Sequence, residues 1–180
     1  MLPGIAIFGY GPLIQMLVPY FRVNGFHIEA IWSPTAEQAQ TQATKHKIPF
    51  ASSMIDKILL LPTVQLIVIA SAPHYHSQIA SKACSIGKHV ICNWPPAYSL
   101  SEMVLMQSAA ANYPSLITLI FTTLRFIPAF QVMRKLIIKD QLIGPVKAVN
   151  GSVLCDVFSS KSKTINKTIN HNIADLGNQQ

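Results

Sequence analysis

Short apolar runs alternate with longer, mixed segments through most of the chain. The runs are too short for helices and predict strands buried on both faces, as parallel strands are. They span residues 4–8, 27–32, 64–70, 89–92, 116–121 and 146–153. The segments between them predict helices at residues 13–24, 35–47, 77–87, 99–112 and 128–139, with a short one ending near residue 61. Strands that alternate with helices favour an α/β fold with a parallel sheet wrapped by helices.

Helix-end signals support these boundaries. Gly25 and Gly87 each follow a predicted helix, where a glycine readily adopts the left-handed conformation that ends it. Ser99 and Glu102 have the spacing of a capping box, which satisfies free backbone N–H groups at a helix start. The pattern and the end signals therefore agree on where the helices lie.

A glycine motif links the first predicted strand to the first predicted helix. In Gly9-Tyr10-Gly11, the first glycine allows a tight turn and the second lets the backbone approach a pyrophosphate. The helix start beyond it offers free N–H groups and the positive end of a dipole. At the start of an alternating pattern, the motif predicts a Rossmann-type doubly wound sheet. The candidate cofactor-binding residues of this loop are Phe8, Gly9, Tyr10, Gly11, Pro12 and Leu13.

The loop and the second strand depart from the usual dinucleotide fingerprint. Ile14 occupies the third glycine position, and Pro12 removes one amide donor. The second strand ends in Trp32-Ser33, where an Asp or Glu would normally hold the ribose hydroxyls. No arginine adjoins Ser33 to hold a 2′-phosphate. Trp32 and Ser33 remain candidate contacts by position, and the choice between NAD and NADP stays open.

Composition and charge narrow the class of protein. Half of the 180 residues are hydrophobic and 12% are charged, which excludes a disordered chain. Lys and Arg number 14 against seven Asp and Glu, giving a net charge of +7. These cations are spread along the chain and form no basic stripe, so we expect no nucleic-acid partner. The cysteines show no metal-ligand spacing, and we expect no metal site.

The beginning of the chain is the stretch in which a signal peptide or a membrane span could lie. The uncharged stretch before Arg22 is interrupted by glycines and prolines and lacks a basic beginning, so we read it as folded structure. It predicts neither a signal peptide nor a membrane span, and a cytoplasmic location is expected on that ground.

Several motifs in continuous order resemble the Gfo/Idh/MocA oxidoreductases and, within that family, the glucose–fructose oxidoreductase domain-containing proteins of animals. They are GYG, then IASAPHYHSQIASKACSIGKHVICNWPPAYSLSE, then LRFIPAF and LIIKDQLIGPV, and the resemblance covers residues 1–158. It implies NAD or NADP as cofactor and a sugar-like small molecule as substrate. It also implies secretion and association with extracellular matrix as an alternative to the cytoplasm, and it leaves an oligomer open.

The resemblance carries over a stretch after the third main strand. The family has Thr-Pro-Asn-x-x-His there, lining the nicotinamide side. Ser71, Ala72 and His76 match this stretch, whereas Pro73 stands at the Asn position. The resemblance therefore makes Ser71, Ala72 and His76 candidate cofactor contacts. His76 is the histidine expected to face the crevice, with a purely structural role as its alternative.

The family's Glu-Lys-Pro triplet is replaced by Asn93-Trp94-Pro95. The family lysine contacts both substrate and cofactor. Trp94 has no ammonium, so it can neither stabilise a developing alkoxide nor relay a proton. Asn93 remains a candidate cofactor contact, and no catalytic residue is assigned. Arg125 matches the family's Arg-Phe-x-Pro stretch and is a further candidate contact, with a structural role as its alternative.

The predicted organisation has three parts. Residues 1–122 form the NAD(P)-binding domain, residues 123–158 a crossover helix and first strand of a truncated α+β substrate domain, and residues 159–180 a polar, flexible tail. The family's acid–base histidine lies in the substrate domain and has no convincing counterpart here. The sequence thus predicts an oxidoreductase-type nucleotide-binding domain of weak or absent activity, or a non-catalytic binding or structural protein that keeps the fold.

Overall fold

The computed structural model describes residues 2–153 and 167–171. The chain divides into two compact units, with the boundary in the sequence between Thr123 and Leu124. Each unit is described by itself. Residues 154–166 and 172–180, which hold most of the predicted tail and the end of the predicted substrate-domain segment, lie outside the described residues.

The first unit is a six-stranded sheet with helices between the strands. The order across the sheet is β3-β2-β1-β4-β5-β6, and every neighbouring pair is parallel. The strands are β1 Gly4–Gly9, β2 Ile28–Trp32, β3 Phe50–Ser52, β4 Val64–Ala70, β5 His89–Asn93 and β6 Thr118–Phe121. The helices are α1 Pro12–Val23, α2 Ala36–His46, α3 Ile55–Leu59, α4 His76–Ser85 and α5 Leu100–Asn112. A 3-10 turn, Pro73–Tyr75, precedes α4.

Side chains of β1 alternate between two apolar layers. Ala6 and Phe8 pack in the layer that includes α3 and α4, while Ile5 and Ile7 pack in the layer that includes α1 and α2. All four are fully buried. Covering a parallel sheet on both faces requires apolar residues at every position, which explains the continuous runs in the sequence. The doubly wound α/β fold predicted from those runs is confirmed.

The helix ends follow the sequence signals in most places. Gly25 and Gly87 have φ of 82° and 78° and lie just beyond α1 and α4. Ser99 caps α5, and its hydroxyl and the Glu102 carboxylate form the predicted capping box. Helix α2 ends at the predicted place, but without a glycine: Lys47 adopts the left-handed conformation there, with φ of 51°.

The second unit holds a helix and a two-stranded antiparallel ladder. A 3-10 turn, Thr123–Phe126, begins at the last residue of the first unit and leads into α6 Pro128–Arg134. Helix α6 continues as a π-helix over Lys135–Lys139. Strand β7, Val149–Val153, pairs with β8, Lys167–His171. Strand β8 falls within the predicted tail, where the sequence has no periodic apolar face to indicate it. No helix among the described residues is long and apolar enough to span a bilayer.

Candidate nucleotide-binding crevice

The order of the strands places a crevice at one edge of the sheet. Strand β1 pairs with β2 on one side and with β4 on the other, so the chain leaves the carboxyl ends of β1 and β4 in opposite directions. Gly9 pairs with Ala70 at these two ends. Open α/β sheets bind their ligands at such a switch point, between the loops that diverge.

The glycine loop occupies the β1 side of this crevice. A Cβ on Gly9 would lie 2.5 Å from the carbonyl oxygen of Ala70, so glycine is required for β1 and β4 to approach here. Gly11 precedes α1 with φ of 94°, and a Cβ there would meet nothing within 4 Å. The space above Gly11 is therefore open, and the backbone conformation is one that glycine adopts without strain.

Backbone donors at the start of α1 face this open space. The first N–H groups of any helix have no partner within the helix, and here Pro12 at the first position removes one of them. Leu13 and Ile14 supply the next two. Tyr10 is 38% exposed beside the loop. The loop therefore fits a pyrophosphate by geometry, with one donor fewer than the fingerprint usually provides.

Three predicted contact residues lie under the crevice instead of lining it. Phe8, Trp32 and Ser33 are at most 2% exposed. The rings of Phe8 and Trp32 stack at 5.8 Å, and the indole Nε1 of Trp32 donates to the carbonyl of Ser53 at 2.9 Å. These side chains are thus used for packing, and the structure places no ribose-binding carboxylate at the end of β2.

His76 is also buried, with 1% exposure. Its Nε2 lies 2.9 Å from the carbonyl oxygen of Ser71 and its Nδ1 lies 3.0 Å from that of Pro95. A neutral imidazole has one N–H and can donate to only one of these oxygens at a time. Burial lowers the pKa of His76 below its usual value, against the opposing effect of the carbonyls. The ring connects the loops after β4 and β5, which supports the structural alternative for this histidine.

Further residues that reach the surface at this edge follow β4 and β5. Ser71, Ala72 and Asn93 are partly exposed, and Trp94 is 59% exposed. His74, which was not among the predicted contacts, is exposed in the turn before α4, with its ring centroid 3.9 Å from that of Tyr75. The signal in the sequence was the pair His74-Tyr75, which comes shortly after the end of β4.

We use the term crevice rim for the connections that follow β1, β2, β4 and β5 at this edge. The crevice rim comprises residues 10–11, 33–35, 71–75 and 94–99, and none of them is Asp, Glu, Lys or Arg. Its one imidazole that is exposed is that of His74. The net charge of +7 is thus carried elsewhere in the chain. Arg125, the remaining predicted contact, belongs to the second unit.

The cysteines of the first unit are buried and do not belong to the rim. Cys84 and Cys92 line an apolar groove of about 390 Å³ between α4, α5 and the strands β5 and β6. Burial raises the pKa of both thiols, that of Cys92 to about 12. Protonated thiols of this kind are poor nucleophiles. Within the described residues no group of three or more His, Cys, Asp or Glu could hold a metal ion, and Cys155 lies outside them.

The sheet order, the switch-point crevice and the glycine loop together define a Rossmann domain of the dinucleotide-binding class. A family model described as "Oxidoreductase family, NAD-binding Rossmann fold" matches residues 4–121. The chain belongs to this family, the Gfo/Idh/MocA oxidoreductases, as its motifs predicted.

Relatives of known description agree with this assignment. Glucose-fructose oxidoreductase domain-containing protein 2 of Xenopus laevis is 41% identical over 156 residues, which cover 87% of this chain and 38% of that protein. The scyllo-inositol 2-dehydrogenase (NADP(+)) of Bacillus subtilis is 32% identical over 131 residues, covering 72% of this chain and 38% of the enzyme. The chain spans about two fifths of the length of these curated relatives.

A solved structure shows the same fold. The crystal structure of scyllo-inositol dehydrogenase from Lactobacillus casei, with bound NAD(H) and scyllo-inositol, superposes with a TM-score of 0.73. The match covers 82% of this chain and 44% of that enzyme at 17% identity. At this identity the likeness concerns the fold alone.

Proposed function

We propose that this chain is the dinucleotide-binding part of an oxidoreductase-type protein and binds NAD or NADP at the crevice. The observation that carries the proposal is the Gly9–Gly11 loop at the β1/β4 switch point, with open space above Gly11 and free N–H groups at the start of α1. Residues 123–158 are proposed to begin a second, substrate-binding domain.

The two halves of the cofactor would meet different surroundings. Backbone groups of residues 10–14 would hold the pyrophosphate. The adenosine half would lie toward β2, where buried Ser33 and the uncharged residues beside it offer neither a carboxylate for a ribose hydroxyl nor an arginine for a 2′-phosphate. Weak binding with little discrimination between NAD and NADP follows from that arrangement.

Hydride transfer needs a group that handles the substrate's hydroxyl proton. The bound nicotinamide would supply the hydride chemistry, and the side chains of this chain would have to bind and orient the substrate. Trp94, at the family's lysine position, has no group that gains or loses a proton near neutral pH, and His76 is buried between two carbonyls. Among the described residues of the rim, His74 carries the one exposed imidazole. We therefore propose weak or absent turnover of sugar-like substrates by this chain.

A non-catalytic binding protein that retains the fold is the second candidate. Trp94, at the family's lysine position, supports this candidate as well. The indole provides no acid–base group, but it offers a large exposed aromatic surface to which a partner could bind. The first candidate requires cofactor binding, whereas the second requires neither cofactor binding nor turnover.

Two experiments test the two candidate functions. Calorimetric titration of the full chain with NAD⁺ and NADP⁺ measures cofactor binding, and assays on a panel of sugars and scyllo-inositol measure turnover. Gly11→Ala should weaken binding, because a Cβ would enter the open space over the loop. Gly87→Ala is the matched control: it has a similar positive φ and an equally open Cβ position, but lies at the far end of α4. Failure of the wild-type chain to bind either dinucleotide would refute the proposal, and cofactor-dependent turnover would refute the non-catalytic alternative.

A further inference from the structure

The crevice rim is unusual in combining the absence of charged side chains with exposed aromatic rings. Tyr10 and Tyr98 are 38% and 70% exposed, and Trp94 is 59% exposed. We propose that the exposed indole of Trp94 makes the crevice prefer the oxidised, positively charged nicotinamide ring over the reduced, neutral one. This inference rests on the proposed function, because it requires the dinucleotide to bind at the crevice.

The position of Trp94 follows from the sheet. Rossmann domains consist of two mononucleotide-binding halves, and the crevice between them lies beside β1 and β4. With the pyrophosphate at the loop after β1, and the adenosine half toward β2, the nicotinamide half extends over β4 and β5. Trp94 directly follows β5, whose Cys92 pairs with Ile120 of β6 and with Ile69 of β4. Trp94 therefore lies at the end of a strand on the nicotinamide side of the crevice, and its ring is exposed there.

The backbone beneath Trp94 is held in place. Cys92 and Pro96, which lie on either side, are buried, and the carbonyl of Pro95 faces the buried imidazole of His76 at 3.0 Å. Asn93 pairs with Phe121 of the neighbouring strand. An exposed ring on an anchored backbone loses little conformational freedom when a ligand stacks on it.

The charge of the nicotinamide ring differs between the two redox states, and this difference would determine which state binds more tightly beside Trp94. The face of an indole ring carries negative charge density and attracts a cation placed over it, and tryptophan does so best among aromatic residues. The oxidised nicotinamide ring is a pyridinium cation, and the reduced ring is neutral. A lysine at this position would repel the pyridinium, so its replacement by Trp94 changes the sign of the local interaction. The rim residues carry no charged side chain of their own. The Glu102 carboxylate accepts from the backbone N–H groups of Tyr98 and Ser99, and it is the same in every Trp94 variant.

The test compares dissociation constants for NAD⁺ and NADH, or for the NADP pair if that cofactor binds better, by calorimetry on the full chain. We expect oxidised cofactor to bind about two- to fivefold more tightly than reduced. Trp94→Leu should abolish the preference, Trp94→Phe should keep part of it, and Trp94→Lys should reverse it. Tyr20→Leu, which removes a 63% exposed ring near the far end of α1, should leave it unchanged.

Two further measurements sharpen the result. An absorbance difference spectrum should show a long-wavelength charge-transfer band when oxidised cofactor meets the indole, and Trp94→Leu should remove it. A His74→Gln variant should keep the preference, because the imidazole is not its source. If Trp94→Leu leaves the ratio of the two dissociation constants unchanged, the inference is wrong while the proposed function stands. If the wild-type chain binds neither redox state, both are wrong.

Discussion

The hydroxyl of Ser33 donates a hydrogen bond to the backbone carbonyl of Gly9 at 3.0 Å, and Ser33 is fully buried. This bond joins the carboxyl ends of β1 and β2 directly under the glycine loop. Dinucleotide-binding domains commonly have a carboxylate at the end of the second strand for the ribose. In this chain the residue at that position, Ser33, holds the backbone of the glycine loop instead. The side chain that supports the loop therefore takes the place of the carboxylate that would bind the ribose.

Replacing Ser33 should therefore affect stability before it affects binding. Ser33→Ala removes a buried hydrogen bond and should lower the free energy of unfolding by about 1–2 kcal/mol. Ser33→Asp should lower it further, because a carboxylate would be buried against a carbonyl oxygen. Urea denaturation measures both, with Ser115→Ala, an exposed serine, as the control. Tighter binding of NAD⁺ by Ser33→Asp would show that this side chain reaches the ribose, contrary to its position here.

Gly9 should tolerate no larger residue. In Gly9→Ala the new Cβ would lie 2.5 Å from the carbonyl oxygen of Ala70 and 2.7 Å from its carbonyl carbon, so the two strands must separate. We expect a loss of about 1–3 kcal/mol in the free energy of unfolding. The clash is with the backbone, so a second change, Ala70→Gly, should not restore stability. Recovery in the double variant would mean that the methyl group of Ala70 is the obstacle.

The strand and helix pattern was predictable because it depends on local signals. Each buried parallel strand requires an uninterrupted apolar run, as in β4, and each cap requires particular residue types at fixed spacing, as in Ser99 and Glu102. Strand β3 was missed because its three residues, Phe50–Ser52, are too few to form a pattern and are only partly buried. Strand β8 was missed because its sequence, KTINH, contains one large apolar residue.

The candidate site was harder to predict because its contacts are distant in sequence. Ser33 and Gly9 are separated by 24 positions, and His76 and Pro95 by 19. Neither hydrogen bond has a local signature, so Ser33 was assigned to the cofactor surface by its position and His76 by the family resemblance. The glycine loop could be placed because Gly9 and Gly11 act through backbone conformation, which neighbouring residues reveal.

The end of α2 offers a way to stabilise the fold. Lys47 has a left-handed conformation, with φ of 51° and ψ of 50°, which strains residues that carry a Cβ. Lys47→Gly should raise the free energy of unfolding by roughly 0.5–1 kcal/mol. Lys45→Gly removes the same charge from within α2 and should instead cost about 1 kcal/mol. Thermal or urea denaturation of the pair measures the difference, and equal effects would show that conformation at residue 47 is not limiting.

Stability should fall in mild acid because of His76. Burial lowers the pKa of its imidazole in the folded chain, whereas in the unfolded chain it has the usual value of 6.5. The unfolded state therefore binds more protons, and the free energy of unfolding should decrease as pH falls from about 6.5 to the lower pKa of the folded state, then level off. His76→Gln should remove this part of the pH dependence and, at pH 8, cost roughly 1–3 kcal/mol through the lost contact with Ser71 or Pro95. His46, outside the crevice, also has a pKa lowered chiefly by burial. His46→Gln is the comparison variant: it should remove only the contribution of His46 and leave that of His76 in place. Urea denaturation between pH 8 and pH 5 measures all three proteins, and a His76→Gln curve parallel to that of the wild type would contradict the prediction.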